Sequence, residues 1–260
     1  MGSASRVALA AAKAAVAKTG KLSSETGVAL LAAGRAIGSV PTLRGALSNR
    51  IADASAKAAL IDAVLKNLDS SASTIMKNIV AERWSSVDEM LDGIEEIGIR
   101  VIAASESADI EAELFAVGRA VAAHPELELA LNSKQGSVEA KTALASSVLK
   151  GLSDATASII VHLVSAPRGR RIRTLLSHAE SIVAEANNRG VATVTTATPL
   201  DAEHITRIES VLKARYGRDH HIDQIIDEAV LGGFTIQVGN DTIDASIRSR
   251  LTELSSKLAS

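Results

Sequence analysis

Cysteine is absent from the 260 residues. This excludes disulfides, thiolate nucleophiles and cysteine-ligated zinc, and it fits a reducing compartment. Aromatic residues make up only 2% of the chain, which argues against a deep pocket walled with rings. Neither sign of charge dominates: 28 Lys and Arg stand against 30 Asp and Glu, a net charge of −2. Nothing in that balance recommends nucleic acid or an anionic membrane surface as a partner. Spanning a bilayer takes roughly 18 consecutive apolar residues. The nearest uncharged stretch is 155–167, thirteen residues bounded by Asp154 and Arg168. The Ala-rich start carries Arg6, Lys13 and Lys18 around a short apolar run, so no signal peptide is expected.

Hydrophobic residues are 47% of the chain, mostly Ala, Leu, Val and Ile. Such a composition favours packed helices, because Ala costs least in a helix. The length suits one large domain or two modest ones, with enough chain to bury a real core. Two regions are expected, 1–190 as a helical bundle and 191–260 as a small α/β domain. In the first, the periodicity and punctuation predict helices over 3–18, 23–39, 41–48, 53–68, 71–84 and 88–104. In the second, Val191-Ala192-Thr193-Val194 opens a β-branched strand that Pro199 breaks. A helix over 201–216 ends at Gly217. Strands follow at 220–226 and 234–238, then a hairpin turn at Gly239-Asn240-Asp241 and a last helix over 246–258. The fold class is therefore mainly α with a small α+β C-terminal domain, a helical bundle followed by a strand-helix-hairpin-helix unit.

The bundle repeats itself. Shifting the chain by 84 residues lays Ala32-Ala33-Gly34-Arg35-Ala36-Ile37 on Ala116-Val117-Gly118-Arg119-Ala120-Val121 without a gap, and Pro41 on Pro125. From position 30 to 80, 19 of 51 positions are identical to their counterparts. Because Gly, Arg and Pro coincide as well as Ala and Leu, an internal 84-residue duplication is expected, with copies at about 22–105 and 106–189.

Catalytic chemistry has little to stand on. The six histidines make no HExxH or other zinc spacing, and no metal is expected. There is no phosphate-binding glycine loop and no GxSxG elbow. Gly232-Gly233 and Gly239 read as a tight turn and a hairpin. The carboxylates Asp88, Glu89, Asp92, Glu95 and Glu96 read as a solvated helix face. Arg168, Arg170, Arg171 and Arg173 form the one basic cluster, read as a solvated loop or as a contact for an acidic partner helix or anionic headgroups. Trp84, the only tryptophan, reads as core packing or as a partner contact.

The last seventy residues carry a signature. Leu231-Gly232-Gly233-Phe234, Gly239 and then Ile243-Asp244-Ala245-Ser246 follow a Thr196-Ala197-Thr198-Pro199-Leu200 element and a helix ending in Tyr216-Gly217. This pattern resembles the delta subunit of rotary ATP synthases, related to the mitochondrial oligomycin-sensitivity-conferring protein. Arg83-Trp84-Ser85, the Pro-Arg-Gly-Arg element at 167–170 and the extra 84 residues are similar to its enlarged actinobacterial form. The resemblance implies a six-helix N-terminal bundle and a non-catalytic stator without a cofactor. It implies binding to the N-terminal helices of the alpha subunits and to the C-terminal region of the b subunit, with one copy per complex. It also implies a peripheral place on the cytoplasmic face of the plasma membrane, reached only through the complex. The stripe Ile247, Leu251, Leu254 of the last helix is a candidate partner contact, alongside Trp84, Arg168, Arg170 and Arg171. The other reading is a free-standing helical scaffold or regulator that binds amphipathic helices.

Overall fold

A computed structural model describes residues 1–133, 136–137, 140–141, 143–144, 151–230 and 232–244. Contacts divide the chain into two compact units, Met1–Val183 and a second beginning at Ala184. Among the described residues eleven helices and one four-stranded sheet form.

The first unit opens with α1 (Ser3–Lys18), α2 (Ser24–Ser39), α3 (Pro41–Ser48), α4 (Ala54–Val64), α5 (Ser70–Ala81) and α6 (Val87–Ser105). Side-chain caps set several starts. Ser23, Asp69 and Ser86 accept the backbone N–H groups of Thr26, Ala72 and Glu89. Pro41 sits at the first position of α3, where its missing N–H costs nothing.

Two helices stop earlier than the periodicity predicts. α4 ends at Val64 rather than near Leu68, because Leu65 leaves the helical region and packs, with Leu68, against the core. α5 ends at Ala81 rather than Trp84. The chain turns there, and the Trp84 indole N–H donates to the Ile79 carbonyl at 2.8 Å, near the C-terminal end of the helix. Lys57 serves the same helix end, its buried ammonium donating to the Val80 carbonyl at 3.0 Å.

The first core gathers Leu30, Ile37, Leu47, Ile61, Ile75, Met76, Ile79, Ile94 and Ile97 around Trp84. Its tightest crossing is α2 on α6. A Cβ added at Gly98 would stand 2.6 Å from Leu31 Cδ2 and 3.2 Å from the Gly27 carbonyl, so two glycines let the backbones meet.

The unit continues with α7 (Ile110–Ala123), α8 (Pro125–Asn132), α9 (Asp154–Ser165) and α10 (Ile172–Ala186), which runs past the unit boundary. α8 lies 84 residues after α3 at both ends, and α9 lies 84 after α5 at both ends. Ile110, Leu114, Val117, Val121, Ile159, Leu163, Leu175 and Ile182 are buried on these helices. α9 packs on α7, α2 and α6.

In the second unit, β1 (Gly190–Thr196), α11 (Ala202–Tyr216), β2 (His220–Ile226), β3 (Phe234–Val238) and β4 (Asp241–Asp244) build a sheet of order β2-β1-β3-β4. β1 runs parallel to β2 and antiparallel to β3, and β3-β4 is a hairpin. α11 is capped by Asp201 at its start and by left-handed Gly217 (φ 73°) at its end. It lays Ile208 and Leu212 on Ala192, Val194 and Ile236. Gly232, Gly233 and Gly239 all take positive φ, as the turn and hairpin require. Leu231 and the expected helix over 246–258, with Ile247, Leu251 and Leu254, lie outside the described residues.

Candidate functional site: a buried charge clasp and an open helix face

The acidic face of α6 is not solvated as its sequence suggests. Glu95 and Glu96 are buried. Glu96 meets Lys13 at 2.5 Å and Arg100 at 3.2 Å. Glu95 meets the basic segment that follows α9. Arg170 grips it through both guanidinium nitrogens, at 2.9 Å each, and Arg168 adds a third bond at 2.9 Å. Arg168 also reaches Asp92 at 2.7 Å. Two sequence features that read as separate solvated surfaces therefore neutralise each other. Arg168 takes a positive φ of 46°, a costly conformation for a side chain, which its ion pairs hold in place.

His162, 1% exposed, completes the clasp. Its Nδ1 lies 2.9 Å from an Arg35 nitrogen and its Nε2 lies 3.1 Å from Glu95. Arginine only donates, so Nδ1 accepts; Nε2 then carries the proton and donates to Glu95. Burial holds the imidazole below its ordinary pKa, against the pull of Glu95. Burial alone would raise Glu95, but the hydrogen bonds from His162 and Arg170 and the charges of Arg168 and Arg170 hold it at about 2. A carboxyl that far from neutrality moves no proton near pH 7. The clasp joins α2 and α6 to α9 and the segment after it; it is a fastening, not acid–base machinery.

A second feature lies on α1. Its exposed residues Val7, Ala10, Ala14 and Ala17 recur every three or four positions and form a small apolar stripe. Eighty-four residues on, α6 places Leu91, Ile94, Gly98 and Val101 at the counterparts of these four, all buried. α2 covers that face of α6: Gly34 packs on Ile94, Gly38 on Leu91, and Gly27 on Gly98 and Ile102. α2 thus runs antiparallel to α6, along a face whose counterpart on α1 is bare among the described residues. No residue spacing in the sequence reveals that one of two matching faces is covered.

The other residues singled out from the sequence are dispersed. Trp84 is 4% exposed, with its ring against Gly93 in the first core. Arg168 and Arg170 are engaged within the chain, while Arg171 stays exposed. Phe234 pairs with Thr196 and Asp244 with Thr235 across the sheet. His220 is buried beside Tyr216, with ring centroids 5.4 Å apart, while His221 points to the other face, 3.3 Å from Asp223. Among the described residues no cluster of three His, Asp or Glu could hold a metal, and no single helix is long and apolar enough to cross a membrane.

The described residues build a mainly helical protein, a bundle tied by buried ion pairs followed by a small mixed sheet. Comparison with known proteins specifies which. Residues 101–258 match the family described as the ATP synthase delta (OSCP) subunit. The chain is 44% identical over 263 residues to the ATP synthase subunit delta of Leifsonia xyli subsp. xyli, covering 100% of both chains. It is 34% identical to that of Acidothermus cellulolyticus, covering 91% of this chain and 89% of the other. A chain in the Toxoplasma gondii mitochondrial ATP synthase hexamer aligns with 64% of this chain and 96% of its own, at a TM-score of 0.38 and 20% identity. The chain belongs to the ATP synthase delta (OSCP) subunit family. It is a structural subunit of the peripheral stalk of ATP synthase, not a catalytic one.

Proposed function

We propose that the chain ties the N-terminal helices of the alpha subunits to the C-terminal region of the b subunit, and so holds the catalytic head against the torque of rotation. The observation that carries this reading is the bare stripe of α1. Within the same chain, the matching face of α6 is filled by an antiparallel helix with small residues at the crossing. An amphipathic alpha-subunit helix with small and apolar residues at i, i+3, i+4 and i+7 would seat on Val7, Ala10, Ala14 and Ala17 as α2 seats on α6. The matching face of α6 is already covered, so docking falls to α1.

The division into a helical domain over 1–190 and a C-terminal domain over 191–260 belongs to the same reading. So does the 84-residue duplication, with copies at about 22–105 and 106–189. The matching ends of α3 with α8 and α5 with α9 support it. The b subunit would meet the C-terminal domain, with Ile247, Leu251 and Leu254 as its apolar contacts. One copy serves each complex, on the cytoplasmic face of the plasma membrane and held there by its partners. Titration calorimetry of the full chain with the N-terminal peptide of its own alpha subunit tests the reading. Saturable binding that Ala14→Arg abolishes is expected; binding indifferent to Ala10→Arg and Ala14→Arg would move the site elsewhere.

A further inference from the structure

We propose that α6 belongs to two overlapping helical bundles, closing the first and opening the second, so that the helical region unfolds as one lever and not as two domains in series. The inference rests on the duplication reading and goes beyond it. Two copies placed end to end would share no helix. Here, adding 84 to the bounds of α1, Ser3–Lys18, gives 87–102. Subtracting 84 from the bounds of α10, Ile172–Ala186, gives 88–102. Both spans fall inside α6, Val87–Ser105. Among the described helices of the first unit, only α6 has a counterpart on either side.

The packing follows the same rule. α1 packs on α5, and α6 packs on α9, the counterpart of α5. α5 packs on α2, and α9 packs on α7, the counterpart of α2. α6 accordingly buries two faces. Met90, Ile94, Ile97 and Val101 point into the first core. At 100° per residue, Glu95 and Ile99 point away from that side, while Ile102 packs on Gly27 of α2. Ile99 is fully buried without belonging to that core, and Glu95 lies in the clasp of His162, Arg168 and Arg170. A helix buried on nearly every side needs apolar or paired residues all round; between Ile94 and Ala103 the three charged residues, Glu95, Glu96 and Arg100, are all ion-paired. α1 buries one side only and keeps Val7 and Ala10 where α6 has Leu91 and Ile94. The contact division agrees, placing its one boundary after Val183 and none between the copies.

Hydrogen exchange on the full chain tests this. Ile97→Ala removes a contact in the first bundle, and Ile159→Ala removes one in the second. With a shared helix, each substitution speeds the slowest amides of α2 and of α9 together, at least tenfold in both. Exchange raised tenfold in the substituted bundle alone, with the other within twofold, would overturn the proposal. If either alanine variant does not fold, Ile97→Val and Ile159→Val give the same reading at two- to tenfold. Partner docking plays no part in this experiment, so its failure would leave the stalk reading standing, and the failure of peptide docking would leave the shared helix standing.

Discussion

Removing the Glu95 carboxylate is the most informative perturbation of the bundle. The side chain is 2% exposed and receives hydrogen bonds from His162, Arg168 and Arg170. A carboxyl held at about 2 rather than 4.5 favours the ionised form in the fold by about 3 kcal/mol, at 1.36 kcal/mol per pKa unit. Deleting one partner of a buried ion pair costs about 3–5 kcal/mol, because the remaining charges stay buried. Glu95→Gln keeps the shape and an acceptor for His162, so about 2–4 kcal/mol is expected; Glu95→Ala adds a cavity and should cost more. The assay is urea unfolding at pH 7, followed by helical circular dichroism and by the fluorescence of Trp84, the single tryptophan in the first core. The pH dependence has a definite sign. Because the folded pKa lies below 4.5, the stabilisation is complete above that value and is lost as pH falls from 4.5 through about 2. A loss below about 0.5 kcal/mol for Glu95→Gln, the range of an ordinary surface change, would refute the clasp.

Other outcomes follow from the same geometry. The folded pKa of His162 lies below 6.5, so its contribution is present above 6.5 and lost as pH falls through the depressed value. Urea midpoints between pH 7.5 and 5 should show that loss in the native chain and not in His162→Gln. Gly93→Ala places a methyl well inside the contact distance of the Trp84 ring, so the indole must move; a shifted Trp84 emission and a stability loss of about 1–3 kcal/mol are expected. Gly217→Ala meets no atom but forces φ 73° on a side chain. About 1 kcal/mol should be lost in thermal unfolding of the C-terminal unit.

Local structure was largely legible in the sequence, while pairing across the fold was not. α1, α3, α11, β2 and β3 follow from period, caps and turn residues, since those signals act within a few positions. α4 and α5 run short because Leu65 and Trp84 are drawn to the core, a tertiary demand that periodicity does not carry. The clasp was hidden for a different reason. Glu95 and Arg170 lie 75 residues apart, and each by itself matches the pattern of a solvated charge. What could have flagged Glu95 is its company: Ile94, Ile97, Gly98 and Ile99 leave α6 little polar face to spare. The covered and bare faces of α6 and α1 were likewise indistinct, because alanines at 10 and 14 look the same whether buried or open.

The absence of cysteine makes the direct test clean. A single cysteine in place of Ala14 is a unique handle in this chain, and a second can be placed along the N-terminal helix of the alpha subunit. In the assembled complex, oxidation should join the two at one helical register, while a cysteine at Leu91, under α2, should give no product. Cross-linking at Ala14 that fails at every alpha-subunit position, in a complex that still contains this chain, would contradict the account.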